Sequence, residues 1–279
     1  MIKETNGKKD KIEFDSLNDF CKYMLNTPFN ATFKNAYHSS ESTGLSSFNF
    51  TQTSNFEEAM NLLKNGWDDM ANKLTTSLKV IEKEVKPAMK SRSCLSVTGY
   101  QAVVPLYLQG VPNNMVNKKM TPMKQKVVTL NKSINYNCGV KSETIINESI
   151  KTLQIVKKLE AQGYRCNLNV MFVVSESTKG LTNKNERSIS VKVRIKSANE
   201  KLNISKVAFP LVHPSMLRRL FFRFIEVYPE TPASFQFGYG YPEKNNAEVR
   251  KLYPNEYLLP AFINKDVNSI KDLRDLENM

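Results

Sequence analysis

The chain has 279 residues, 41% hydrophobic and 24% charged, a globular composition long enough for one large domain or two ordinary ones. Forty Lys and Arg against 27 Asp and Glu give a formal net charge of +13 and a pI near 9.4, a field that concentrates polyanions such as nucleic acid or acidic headgroups, although a Lys- and Asn-rich coding bias yields the same charge as a plain solubility surface. Met1 to Gly7 hold no apolar signal core and no stretch approaches the ~18 apolar residues of a span, while Cys21, Cys94, Cys138 and Cys166 form no C-x-x-C pair; the expectation is a reducing cytoplasm, no membrane partner, and neither a disulfide nor a zinc scaffold.

Residues 1–50 read as an N-terminal extension, with one amphipathic helix over Phe14–Leu25 that ends before Pro28, and a loop at 38–47. Residues 51–116 form a subdomain of helix and strand. Its helix starts at a capping box, Ser54-Asn55-Phe56-Glu57, and carries Phe56, Met60, Leu63, Trp67, Met70, Leu74, Leu78, Ile81 and Val85 at three- and four-residue steps, with a break at Gly66. Leu95–Leu108 predicts one or two strands around a turn at Gly99, with Pro105 on an edge. Residues 117–126 hold Lys118, Lys119, Lys124 and Lys126 with no acid, a basic linker or loop.

The best-defined block, 127–228, is an α/β core domain. Val127–Leu130 predicts a strand. Ser142 caps a helix that faces inward through Ile146, Ile150, Leu153, Val156 and Leu159 and stops at Gly163. Two more strands follow at Leu168–Val174 and Ile189–Ile195, then a helical region from Asn203 to Tyr228 interrupted by Pro210 and Pro214. The order β-α-β-β-α implies a central mixed sheet with flanking helices, an α/β or α+β fold. Residues 229–279 are an aromatic, Pro-rich tail that wraps the domain and closes in a short helix around Ile270, Leu273 and Leu276.

Three features bear on function. In Ile189–Lys196 the apolar residues alternate with Ser190, Lys192, Arg194 and Lys196, so three cations share a strand face about 7 Å apart, near the spacing of phosphates along a nucleic-acid strand. The same pattern also describes a solvated face whose lysines discourage edge pairing. Arg219 and Arg223 sit one helical turn apart and can grip phosphates or carboxylates; His213, beside Pro214, has no acid at triad-like spacing and reads as a helix-start residue. Phe235, Phe237, Tyr239 and Tyr241 fall at alternate positions and would form a base-stacking row on an extended backbone, or pack beneath the tail. No phosphate-loop, dinucleotide, H-E-x-x-H or G-x-S-x-G motif is present, so neither an enzyme nor a cofactor or metal is expected.

Phe50–Ala59 with Asn65-Gly66-Trp67, Val97–Tyr100 with Leu108–Pro112, and Ala208–Arg219 together resemble an uncharacterised family of proteins encoded by tailed bacteriophages and related mobile elements, over about residues 48–228; this family carries over no activity. The strand from Val127 into Asn131-Lys132-Ser133-Ile134-Asn135 is similar in spacing to the D-x-S-x-S strand end of von Willebrand A-type folds. The carboxylate is lost and a lysine added, which implies a metal-free interaction module. The reading is therefore a phage-type, non-enzymatic nucleic-acid-binding protein of the bacterial host cytoplasm. Its backbone contacts would be Lys118, Lys119, Lys124, Lys126, Lys192, Arg194 and Lys196, with Arg219 and Arg223 as additions. The alternative is a virion structural or assembly protein acting through contacts with other phage proteins or itself.

Overall fold

The computed structural model describes residues 1–33, 38–82, 89–122, 126–137, 139–178, 180–183, 185–243, 247–264, 267, 270 and 273–277. The chain begins with two strands of the main sheet. β1 (Ile2–Asn6) turns at Gly7, whose φ of 63° suits a residue without a Cβ, into β2 (Lys9–Phe14), where Asp10, Ile12 and Phe14 are buried at alternate positions. Residues read from the sequence as an extension thus extend the sheet. Ser16 then caps α1 (Leu17–Asn26) by accepting from the Asp19 amide at 3.1 Å, and α1 buries Phe20, Cys21 and Met24.

After α2 (Leu45–Thr51), the long helix expected over 54–85 appears as two, α3 (Phe56–Asn65) and α4 (Asp68–Glu82), divided at Gly66 with φ of 91°. The capping box lies one residue further along than the sequence suggested. Asn55 accepts from the Glu58 amide at 2.8 Å, and Glu58 in return accepts from the Ser54 amide at 2.6 Å.

Residues 89–122 form a second, three-stranded sheet: β3 (Met89–Ser96), β4 (Gln101–Ala102), α5 (Val104–Leu108) and β5 (Met115–Pro122), in the order β3-β5-β4. Two local expectations change. Pro105 occupies the first turn of α5, where its missing amide costs nothing, and residues 117–122 of the supposed linker are strand. Gly99 is needed because a Cβ there would stand 2.2 Å from the Val116 carbonyl oxygen.

The β-α-β-β-α block is present: β6 (Val127–Ser133), α6 (Ser142–Ala161), β7 (Arg165–Ser175), β8 (Ser188–Lys196) and α7 (Ile204–Val212). α7 runs through Pro210, and the break falls at His213-Pro214, followed by a wide turn of π-helix (Met216–Phe221) and α8 (Phe222–Val227). The remaining elements are β9 (Tyr241–Pro242), α9 (Ala247–Leu252), β10 (Tyr257–Leu259) and α10 (Arg274–Glu277). The sheet order is β1-β2-β8-β7-β6-β10, with β9 paired to β7. β2 and β8 are parallel, as are β6 with β7 and β6 with β10, while β7 and β8 are antiparallel. The fold is α/β, a mixed sheet flanked by helices.

Both faces of the central strands are covered. On one side Val170, Phe172, Val174, Ile189, Val191 and Val193 join the main core, built with residues of α1, α3, α4, α6, α7 and α8. On the other, Met171 and Val173 of β7 pack with Leu181, Val249, Tyr253 and Leu258 in a smaller core. The C-terminal segment supplies that cover. Phe235 and Tyr239 are buried in the main core, and Ala233–Phe237 is a short 3-10 helix, so the aromatic row does not form on one extended face.

Candidate nucleic-acid interface

β8 is an interior strand with covered faces, and the fates of its cations follow from that. Lys192 and Lys196 are only 7% and 3% exposed. The Lys192 ammonium lies 2.9 and 3.0 Å from the two Glu256 carboxylate oxygens and 3.1 Å from Glu13, over the Tyr253 ring at 4.7 Å. Lys196 meets Glu160 at 2.7 Å and donates to the Cys166 and Ser197 carbonyls. A buried ammonium requires such partners because its desolvation would otherwise expel it. Arg194, at the strand end, is more open and meets Asp15 at 3.3 Å. The three cations do not form a common exposed row.

Arg219 and Arg223 are also engaged internally. Arg219 is fully buried: it donates to the carbonyls of Ser40, Ser42 and Thr53 and to the hydroxyls of Thr53 and Ser47. Arg223 pairs with Glu41 at 2.8 Å and stacks 3.8 Å from the Phe29 ring centroid. Their one-turn spacing tethers the 40–56 segment to the π-helical turn, through Arg219, and to the start of α8, through Arg223. His213 is buried against Trp67 and Phe209, accepts from the Ser215 amide at 3.1 Å, and is pulled down to about 4 by desolvation, against an upward push from Glu58.

Asn131 and Lys132, in the stretch compared with a metal-binding strand end, are both buried. Asn131 donates to Glu256, and Lys132 donates to the Pro260 and Ala261 carbonyls at 2.6 and 2.8 Å; desolvation brings its ammonium down to about 7, opposed by Glu148. Among the described residues no group of three His, Cys, Asp or Glu is placed to hold a metal ion. No described helix is long and apolar enough to cross a membrane.

The sequence-predicted cations that do face solvent are Lys118, Lys119 and Lys126; Lys124 lies outside the described residues. Lys118 and Lys119 are on β5, and strand register adds a residue the sequence reading passed over. Arg92, also exposed, sits directly opposite Lys119, while Ser93 faces Lys118. Like charges set opposite each other on a strand pair repel, so the arrangement favours an anion over the ribbon. Lys118 also stands over the Tyr100 ring at 5.5 Å. A signal for this was present in the sequence: from Val85 to Ser142 there is no Asp or Glu, against nine Lys or Arg.

Among the described side chains of this sheet, those of residues 92–119, none is buried, so they form an arm without a core among them. Leu95, Val97, Tyr100, Val104, Tyr107 and Leu108 are 51% to 78% exposed. The long β3–β5 pair within the sheet is a ribbon of the width that a major groove admits, and exposed tyrosines near cations have the chemistry that stacks on unpaired bases.

A family model described as Domain of unknown function (DUF7192) matches residues 3–277. The chain belongs to this family. The match takes in both the main sheet and the arm, so the DUF7192 domain includes both sheets. No curated protein and no solved structure matches the chain.

Proposed function

We propose that this DUF7192 protein is a non-enzymatic nucleic-acid-binding protein that meets the phosphate backbone with the arm 89–122. The observation that carries the reading is the coincidence, on an acid-free arm with no buried residue among 92–119, of exposed Arg92, Lys118 and Lys119 with exposed Tyr100 and Tyr107. Lys126, exposed just before β6, extends the same basic segment. Parallel neutralisation of phosphates gives salt-sensitive binding with little dependence on sequence. A phage-type setting is supported by the three motifs that resemble tailed-phage and mobile-element proteins.

The test is fluorescence anisotropy with labelled single- and double-stranded DNA and RNA, titrated at several salt concentrations. Association should be present at about 50 mM salt and fall with a log–log slope of roughly −2 to −3 for three phosphate contacts. No association with any of the four at low salt would end the proposal. The exposed Leu95, Val97, Val104 and Leu108 favour a second reading, in which the arm docks on a virion protein or another copy of the chain. A defined oligomer in light scattering that dissociates when the arm is removed would support that reading.

A further inference from the structure

A cleft of 620 Å³ lies where β2 and β8, parallel neighbours in the sheet, both end. Each strand leads into a helix from that edge, β2 through Asp15-Ser16 into α1 and β8 through 197–203 into α7. The crevice outside the carboxyl ends of parallel strands is where open α/β sheets take ligands, and the volume is that of a small-molecule site.

The chemistry of the lining is anion-directed. Lys64, Arg194, Lys196 and Lys206 contribute four cations; Asp15 and Glu200 line the cleft with them, and Glu160 pairs with Lys196, so four cations meet three carboxylates. Lys196 is buried and held by Glu160, a fixed charge at the cleft wall, while Lys64 and Lys206 are exposed. Arg194 has one carboxylate contact, Nη2 to Asp15, and its Nε is buried without a hydrogen-bond partner. A guanidinium paired with a single carboxylate through one Nη keeps further N–H groups for a phosphate oxygen, which accepts a short, charge-assisted hydrogen bond. Ser16 and the first residues of α1, Leu17 and Asn18, also line the cleft. Their amides precede the first intrahelical bonds of a ten-residue helix, although the Asp19 carboxylate, bound to the Ser16 hydroxyl, offsets part of that field. Leu17, Leu63 and Ile195 provide an apolar wall for the uncharged body of a ligand.

We infer that this cleft binds a phosphomonoester of nucleotide size, with Arg194 and Lys206 on the phosphate and Lys196 as a fixed charge behind it. The cleft shares no lining residue with the basic arm, and the inference does not depend on the arm's function. A terminal phosphate of this kind is offered either by a free nucleotide or by the 5′-phosphorylated end of a nucleic-acid strand.

Calorimetric titration of the full chain with adenosine monophosphate and with adenosine tests the inference. The monophosphate should bind saturably and the nucleoside should not. Arg194→Gln should weaken the monophosphate by about tenfold or more, the loss of one charge-assisted contact. Lys206→Gln, at an exposed helix position, repeats the test without risk to folding. The Lys118→Gln/Lys119→Gln arm variant should bind the monophosphate unchanged. A 5′-phosphorylated short oligonucleotide that displaces the monophosphate, when its 5′-hydroxyl counterpart does not, assigns the site to strand ends; failure of both to displace it assigns the site to free nucleotides. No saturable heat with the monophosphate, equal binding of adenosine, or full affinity in both cleft variants overturns the inference.

Discussion

Arg219 holds Thr53 twice: its Nε donates to the threonine hydroxyl at 2.6 Å and one Nη donates to the threonine carbonyl at 2.8 Å. The same hydroxyl meets Ser215 at 2.7 Å, so the capping segment of α3, the π-helical turn and the residues around Ser40 are fastened at one buried guanidinium. Removing one side of a buried charged network leaves the other side unsatisfied. Arg219→Ala is expected to cost about 3–5 kcal/mol in urea denaturation, and Arg219→Lys to recover only part of it because an ammonium cannot reproduce the fork. A loss below about 1 kcal/mol for Arg219→Ala would contradict this assignment.

Charge removal should separate the arm from the sheet. Arg92→Gln, Lys118→Gln and Lys119→Gln are each expected to reduce the salt slope of nucleic-acid binding by about 1, with the melting temperature unchanged because these side chains are exposed. Lys192→Gln should do the opposite, lowering stability through the loss of its Glu256 and Glu13 partners while leaving the salt slope intact.

The buried imidazole of His213 makes stability depend on pH. Its folded value of about 4 lies below the unfolded 6.5, so between those values the unfolded chain binds a proton that the folded chain refuses. Stability therefore falls as pH drops through that window, by at most about 1.4 kcal/mol per pH unit from this group, and levels off below it. Carboxylates titrate in the lower part of the same range. The diagnostic is a comparison with His213→Asn, whose urea midpoint should decline less between pH 6.5 and 5; parallel declines would remove His213 as the cause.

Gly66 separates α3 from α4 with φ of 91°, and a Cβ there would lie 2.5 Å from the Ser205 hydroxyl and 3.1 Å from its carbonyl oxygen. Backbone strain and contact act in the same direction. Gly66→Ala is expected to lose roughly 1–3 kcal/mol, read as a lower melting temperature, whereas alanine at Gly110, which has positive φ but open space around it, should cost less.

The order of the main elements was legible because it rests on local signals. Period-2 alternation marked β7 and β8, three- and four-residue steps marked α6, and Gly66 and Gly163 marked helix ends. β1 and β2 were missed. Lys, Asp and Glu outnumber apolar residues there, and pairing with β8, some 180 residues distant, makes those residues strand. In the same way, the linker reading of 117–122 considered the lysines without their partner β3.

The sequence by itself determined that Lys192, Arg194 and Lys196 share one side of a strand, since side chains alternate on any extended backbone. Only the tertiary structure decided what that side meets. Tyr253 and Glu256 arrive from 61 and 64 residues later to bury Lys192, Glu160 comes from α6 to hold Lys196 at the wall of a cleft, and Arg194, the most open of the three, lines the same cleft. Alternation reports polarity and carries no information on burial, because a paired lysine and a solvated one have the same local pattern.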